Sequence, residues 1–255
     1  MRMSEPGMSH YLDRLTWPEI RGYLMSTTEL ILPIGICEQH SLHLPLRTDT
    51  VVCEHVAGFL SRRTGILIAP TVQYGVGLPC DRFLPGTTSI SKEILHGMVG
   101  DLLNIWLNQG FRTIYIVTAH GDPHHVEALR YLETESVAFR ELWDIPLDDI
   151  LEKQHCARHA GEAETSVMLF LDPDSVRNEQ IVNFHMTFEE FEPYLMHQRH
   201  DPIPESPGGL GFPGYANHGK GERILHRMKE YALSWLQNHR ERNTVLPAYD
   251  NESDN

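Results

Sequence analysis

Short apolar runs alternate along this chain with longer stretches in which apolar residues recur every three or four positions, the two periods of strand and helix. Leu30-Ile31-Leu32-Pro33-Ile34 is a continuous apolar run ended by Gly35, which predicts a buried strand entering a tight bend. Ile66-Ala69 and Thr113-Val117 predict two further strands. Between them, Thr48 or Asp49 caps a helix to about Arg63, with Val51, Val52, His55, Val56, Phe59 and Leu60 on its inner side and Gly65 as its stop. Ser91 opens a second amphipathic helix that Gly110 closes, and Pro123 starts another to about Leu142. Helices are also expected behind Thr16 and Pro18, over Gly161–Leu171 and over Lys220–Arg240. This β-loop-α order predicts an α/β fold: a mostly parallel sheet with helices on both faces, a three-layer α/β/α sandwich.

Less regular stretches are informative too. Asp144–Leu147 reads as a short strand or its remnant, and the Gly/Pro-rich loop from Thr71 to Ser91 is long enough to be functional. Asp201–Gly214, rich in proline and glycine, is expected at the surface, as a lid. One domain over 1–255 is expected, with its core at about 15–240, a loose lead-in before the first helix and a disordered polar tail at 249–255.

A chain of 255 residues with 41% hydrophobic content can bury a sizeable core. Its formal charge of -14 argues against a nucleic-acid partner. Nothing approaches the roughly 18 consecutive apolar residues of a membrane span. The opening residues hold no apolar h-region, so a cytoplasmic location is expected. Cys37, Cys53, Cys80 and Cys156 lack C-x-x-C spacing and are expected to be free thiols.

Candidate chemistry gathers at strand ends. Glu38, His40, His43 and Asp49 follow the first strand, and His120 and Asp122 follow the third. His159, Glu162 and Glu164 sit before or within the first turn of a helix. Carboxylate with imidazole suits zinc foremost, and also manganese or iron. Several carboxylates meeting in one pocket would repel one another, and two divalent metal ions about 3.5 Å apart would remove that conflict. Such a pair can make a bridging hydroxide at neutral pH and polarise a carbonyl. His43 suits orienting a ligand better than being one, and Glu162 suits the positive end of its helix. Cys37 reads as a small packed thiol, His124 as a surface residue, and Gly86–Ser89 as a pocket-shaping loop, since no P-loop lysine accompanies it. No G-x-S-x-G is present to support a serine hydrolase.

Four segments in order resemble the creatininase family of metal-dependent amidohydrolases. They are Leu32-Pro33-Ile34-Gly35 with Glu38-Gln39-His40, His43-Leu44-Pro45-Leu46 and Thr48-Asp49, then Pro85–Ser91, Val117–Gly121, and His159-Ala160-Gly161-Glu162-Ala163-Glu164-Thr165-Ser166. The resemblance implies Glu38 and His120 on one metal, His40 on the other, and Asp49 bridging. Either Asp122 or Glu164 would complete the second metal. It implies His159 as the residue that protonates the leaving nitrogen, with Glu164 beside it in the catalytic set. Thr87, Thr88, Ser89 and Gly121 would shape the substrate pocket, and the positions of His125, His155 and Arg158 suit a polar or anionic group. A small polar or cyclic amide-type substrate and a homo-oligomer, commonly a hexamer, are implied as well. Creatinine itself is not expected, because Lys153–Arg158 carries no aromatic platform, Asp122-Pro123 stands where the family has asparagine, and Gly214–His218 departs from the family's late segment. Two alternatives accompany the amidohydrolase reading: the same dimetal site acting on a keto-inositol or other non-amide carbonyl compound, and a non-catalytic metal-binding protein.

Overall fold

The computed structural model describes residues 10–245, so the lead-in before His10 and the tail expected at 249–255 lie outside the described residues. The elements are α1 (Trp17–Leu24), β1 (Glu29–Ile34), α2 (Thr48–Thr64), β2 (Leu67–Ile68), α3 (Lys92–Asn108), β3 (Thr113–Thr118), α4 (Pro123–Arg130), β4 (Val137–Glu141), α5 (Glu162–Leu171), α6 (Phe188–Leu195) and α7 (His218–Val245). All strands run parallel in the order β2-β1-β3-β4. Local signals set several helix ends: Thr16 and Glu19 form a capping box at α1, Ser91 Oγ accepts the amide of Ile94 at α3, and Gly65 ends α2 in the left-handed region at φ 77°.

Strand periodicity divides the core in two. Ile31, Tyr115, Val117 and Ala138 face α2, α5 and α7, while Leu30, Leu32, Ile34, Ile114, Ile116, Val137 and Phe139 face α1, α3 and α4. Both faces of the sheet are therefore buried, which is why β1 and β3 read as unbroken apolar runs. The three-layer expectation holds. Among the described residues no helix is long and apolar enough to cross a membrane, and the cysteines are free thiols.

Two segments differ from the sequence expectation. The helix begun at Pro123 stops at Arg130 rather than near Leu142, and Val137–Glu141 is the edge strand β4. A turn at Thr134, whose hydroxyl accepts the Ser136 amide, reverses the chain and lets Val137-Ala138-Phe139 pair with Ile114-Tyr115-Ile116. The gain from completing the sheet overrides the helical spacing. Asp144–Leu147 is not a strand; Ile145 and Leu147 tuck into the core from irregular backbone. Asp201–Gly214 begins exposed, but Gly209, Leu210, Gly211 and Pro213 are buried.

Candidate active site

The adjacent strands β1 and β3 end side by side, where parallel sheets present their ligands. Gly35 lets the chain leave β1 directly beneath the first turn of α2: a Cβ there would lie 2.4 Å from Thr50 Oγ1. Glu38 and His40 follow from that bend, Asp49 comes from the first turn of α2, and His120 follows β3. Ala160, in the left-handed region at φ 49°, turns the chain between His159 and the start of α5, which supplies Glu164. Glu38, His40, Asp49, His120 and Glu164 are all buried.

These side chains form two clusters that meet at Asp49. Its Oδ1 lies 3.5 Å from His40 Nε2, which is 3.8 Å from Glu164 Oε2. Its Oδ2 lies 3.3 Å from His120 Nδ1, which is 3.4 Å from Glu38 Oε2. His159 Nδ1 is 3.7 Å from the same Glu38 oxygen. These separations exceed ordinary hydrogen bonds. They match the roughly 3.4 Å between ligand atoms that sit about 2.1 Å from a tetrahedral ion.

Two further observations fit divalent cations. Glu38 Oε2, His40 Nε2 and Asp49 Oδ2 are buried without a hydrogen-bond partner, in a fold where such atoms are normally satisfied. The histidine tautomers are also set from behind. His40 Nδ1 donates to the Glu38 carbonyl at 3.0 Å and His120 Nε2 to the Val76 carbonyl at 2.8 Å, which turns the free nitrogen of each ring toward the carboxylates. The electrostatics agree. Burial pushes the Glu38 carboxyl up to about 8 against the pull of His120, and pushes Glu164 up to about 7 against that of His40. Burial works against the charge of His40, yet Asp49, Glu164 and Glu38 raise it to about 10; His120 is likewise raised, by Glu38 and Asp49. Burial would raise Asp49, but His40 and His120 hold it far below the carboxylate range. A site whose acids demand this much positive charge has the chemistry of a cation-binding centre.

The remaining sequence candidates fall into distinct places. Asp122 caps α4: its Oδ1 accepts the amides of His124 and His125, and its Oδ2 accepts His197 Nε2 at 2.7 Å. It borders the cavity but does not join either cluster around Asp49. His43 is buried with Nε2 2.9 Å from Thr165 Oγ1, and burial together with the charge of His40 lowers it to about 4. His125 is buried behind the site, accepting the Val76 amide at Nδ1; burial and the charge of His120 lower it to about 3. His155 lies on the surface, 2.9 Å from Asp148. Thr87 Oγ1 accepts the Gln39 amide, Thr88 donates to the Cys37 carbonyl, and Ser89 Oγ accepts the Gly77 amide, so this loop straps the segment carrying Glu38. Gly121, Arg158, His159 and Glu164 line a cavity of about 310 Å³. Glu162 is buried in an ion pair with Lys220 Nζ at 2.6 Å, which fixes the start of α5 to α7.

Two features were not anticipated from the sequence. Gln39 is clamped by three contacts: its amide nitrogen donates to the Gly208 carbonyl at 2.7 Å and meets His159 Nε2 at 2.9 Å, and its oxygen accepts the Ser41 amide at 2.8 Å. Its place between Glu38 and His40 was the available signal. The second feature is an apolar cavity wall of Leu78, Trp143, Phe188, Phe191, Leu195 and Leu210. Three of these come from α6, whose proline and acidic residues hide its helical spacing.

The family model described as creatinine amidohydrolase matches residues 13–236. Creatinine amidohydrolase of Pseudomonas putida is 29% identical over 246 residues, 85% of this chain and 92% of that protein. Mycofactocin precursor peptide peptidase of Mycolicibacterium smegmatis is 32% identical over 214 residues, 78% and 80% of the two chains. 3-Dehydro-scyllo-inosose hydrolase of Thermotoga maritima is 24% identical over 186 residues, 68% and 60%. A crystal structure of creatinine amidohydrolase superposes with a TM-score of 0.75 at 27% identity, covering 91% of this chain and 98% of that one. Similar creatininase structures include a manganese form and a Zn-Zn type.

Proposed function

This chain belongs to the creatininase family, a metal-dependent hydrolase by that membership, and from this premise we propose that it cleaves a carbon–nitrogen amide bond at a dinuclear metal centre. Glu38, His120 and Asp49 would hold one cation; His40, Glu164 and Asp49 would hold the other. Zinc or manganese suits this donor set and is the metal of similar creatininase structures. When bound, two divalent cations activate water at neutral pH and polarise a carbonyl oxygen. The observation that carries the reading is that the two oxygens of one buried carboxylate, Asp49, face two separate histidine–carboxylate clusters.

His159 handles the proton. Gln39 donates to its Nε2, so the neutral ring bears its hydrogen on Nδ1, the nitrogen nearer Glu38. Burial foremost, with positive charge at the His40 position second, lowers this ring to about 3. As the C–N bond breaks, the Nδ1–H hydrogen-bonds to the leaving nitrogen and steers onto it the proton released by the attacking water, so the ring never has to become an imidazolate. Gln39 keeps Nε2 out of this exchange. The apolar wall excludes bulk water and is poorly matched to a polyhydroxylated ring, which favours the amide over the keto-inositol alternative.

The exposed apolar side chains Ile94, Met98 and Ile105 on α3 support assembly as a homo-oligomer, for which we take a cytoplasmic hexamer as the working form; sedimentation velocity measures it. Activity is tested by loading purified protein with zinc or manganese and screening lactams, formamides and N-acyl amino acids against a keto-inositol. Amide turnover that chelation abolishes and metal restores is expected. Turnover unaffected by chelation, or confined to the keto-inositol, would contradict the reading.

A further inference from the structure

Arg158 is a cation on the cavity lining that none of the cavity's acids pairs with. It is half-buried and lines the cavity together with Phe191, Leu195 and Leu210. Among the described residues Arg158 forms no ion pair with a carboxylate; other arginines without one, such as Arg82, Arg112 and Arg130, are exposed, whereas Arg158 is half-buried and lines the cavity. The acids that share its cavity are engaged elsewhere. Glu38 faces His120 and His159, Glu164 accepts the Ala160 amide and faces His40, and Asp122 is held by His197 and two backbone amides. The base of the side chain is fixed, since the Arg158 carbonyl accepts the Gly161 amide and the next carbonyl, of His159, accepts the Leu210 amide. With no carboxylate of the protein engaging it, the guanidinium is available to an anionic group of a ligand in the cavity.

We propose that the cavity takes amides of the N-acyl amino acid type, with Arg158 binding the substrate carboxylate and the wall of Phe191, Leu195 and Leu210 receiving its apolar side chain. This rests on the amide-hydrolase reading of the same site and names its substrate class. The planar fork of arginine pairs with the two oxygens of a carboxylate. Arg158 and His159 line the same cavity, and the proposal places the substrate carboxylate on the half that carries the leaving nitrogen. Hydrolysis breaks the acyl C–N bond, adds the hydroxyl of water to the acyl carbon and its proton to nitrogen, and releases a carboxylate and a free amino acid. No oxidant or reductant is required. Trp143 adds to the apolar lining, because its indole N–H is spent on the Ala119 carbonyl at 2.7 Å.

The test uses probes that cannot be hydrolysed: 2-isobutyl-4-oxopentanoate, in which a methylene replaces the amide nitrogen of N-acetylleucine, and its neutral primary amide. Dissociation constants are measured by calorimetry on the metal-loaded protein, for the wild type and for R158M and R158K. The wild type is expected to bind the carboxylate about tenfold or more tightly than the amide. R158M should abolish that preference while leaving the amide's affinity within about twofold, and R158K should keep part of it. Failure of the wild type to prefer the carboxylate, or a preference that survives R158M because the carboxylate binds elsewhere, would overturn the proposal. Turnover of N-acetylleucine is assayed separately. A lasting Arg158-dependent preference without turnover would count against amide hydrolysis and leave the carboxylate subsite standing.

Discussion

Asp49 is the side chain at which the two halves of the site meet, and its replacement separates metal binding from folding. Asp49→Asn keeps the shape but loses the charge that His40 and His120 share; a fall of about 100-fold or more in affinity for at least one cation is expected by titration with a metal indicator. Glu164→Gln and Asp122→Asn form a sharper pair. The first should weaken one cation site by about 10- to 100-fold, because Glu164 lies beside His40. The second should leave both cations bound and cost about 1 kcal/mol of stability, the usual worth of a helix cap. Loss of metal from Asp122→Asn and not from Glu164→Gln would reverse that assignment. Glu38, His40, Asp49 and His120 are legible in the sequence because each follows a strand end or opens a helix within a few residues. Choosing between Asp122 and Glu164 is not, since Asp122-Pro123 reads equally as a ligand and as a cap with proline behind it. Only the fold brings Glu164 to His40 across more than a hundred residues.

At the scale of elements, α5 must be held rigidly for His159 and Glu164 to face the cavity, and α7 does this. Gly221 lets the two helices touch, since a Cβ there would lie 1.9 Å from the Ser166 carbonyl oxygen. Beside it, Lys220 Nζ donates to buried Glu162 and to Glu152, the latter at 2.5 Å. Lys220→Met strands the Glu162 charge and should cost about 3 kcal/mol by urea unfolding, most of it regained in the Lys220→Met/Glu162→Gln double variant. An equal loss in single and double variants would mean that packing, not charge, fixes the joint. Elements with one strong period were readable: β1, β3, α2 and α3 stand where their apolar spacing puts them. β4 was hidden because its residues continue the helical spacing of α4, and only the open edge of β3 makes a strand the better choice. α6 was hidden because Pro193 and its glutamates mask the spacing by which Phe191, Tyr194 and Leu195 join a small separate apolar cluster.

For the whole molecule, burial of histidines sets a pH dependence of stability. In α2, burial and the charges of Lys229 and Arg62 hold His55 at about 4, below the 6.5 of the unfolded chain. As pH falls from 6.5 toward 4 the unfolded chain takes up a proton that the folded one refuses, so the stabilisation present above 6.5 is lost on acidification. For a half-buried ring, discounted for solvent screening, this amounts to roughly 1 kcal/mol between pH 7 and pH 5. His55→Gln should narrow the difference in urea midpoint between those two pH values; an unchanged difference would assign it to other groups. The parallel sheet, by contrast, matters to function mainly through its geometry: adjacent strand ends bring acids and imidazoles from distant parts of the chain to one spot. Anomalous diffraction from crystals of the metal-loaded protein tests that convergence most directly. Two peaks should flank Asp49, one against Glu38 and His120 and the other against His40 and Glu164. A single peak, or peaks away from Asp49, would contradict the account.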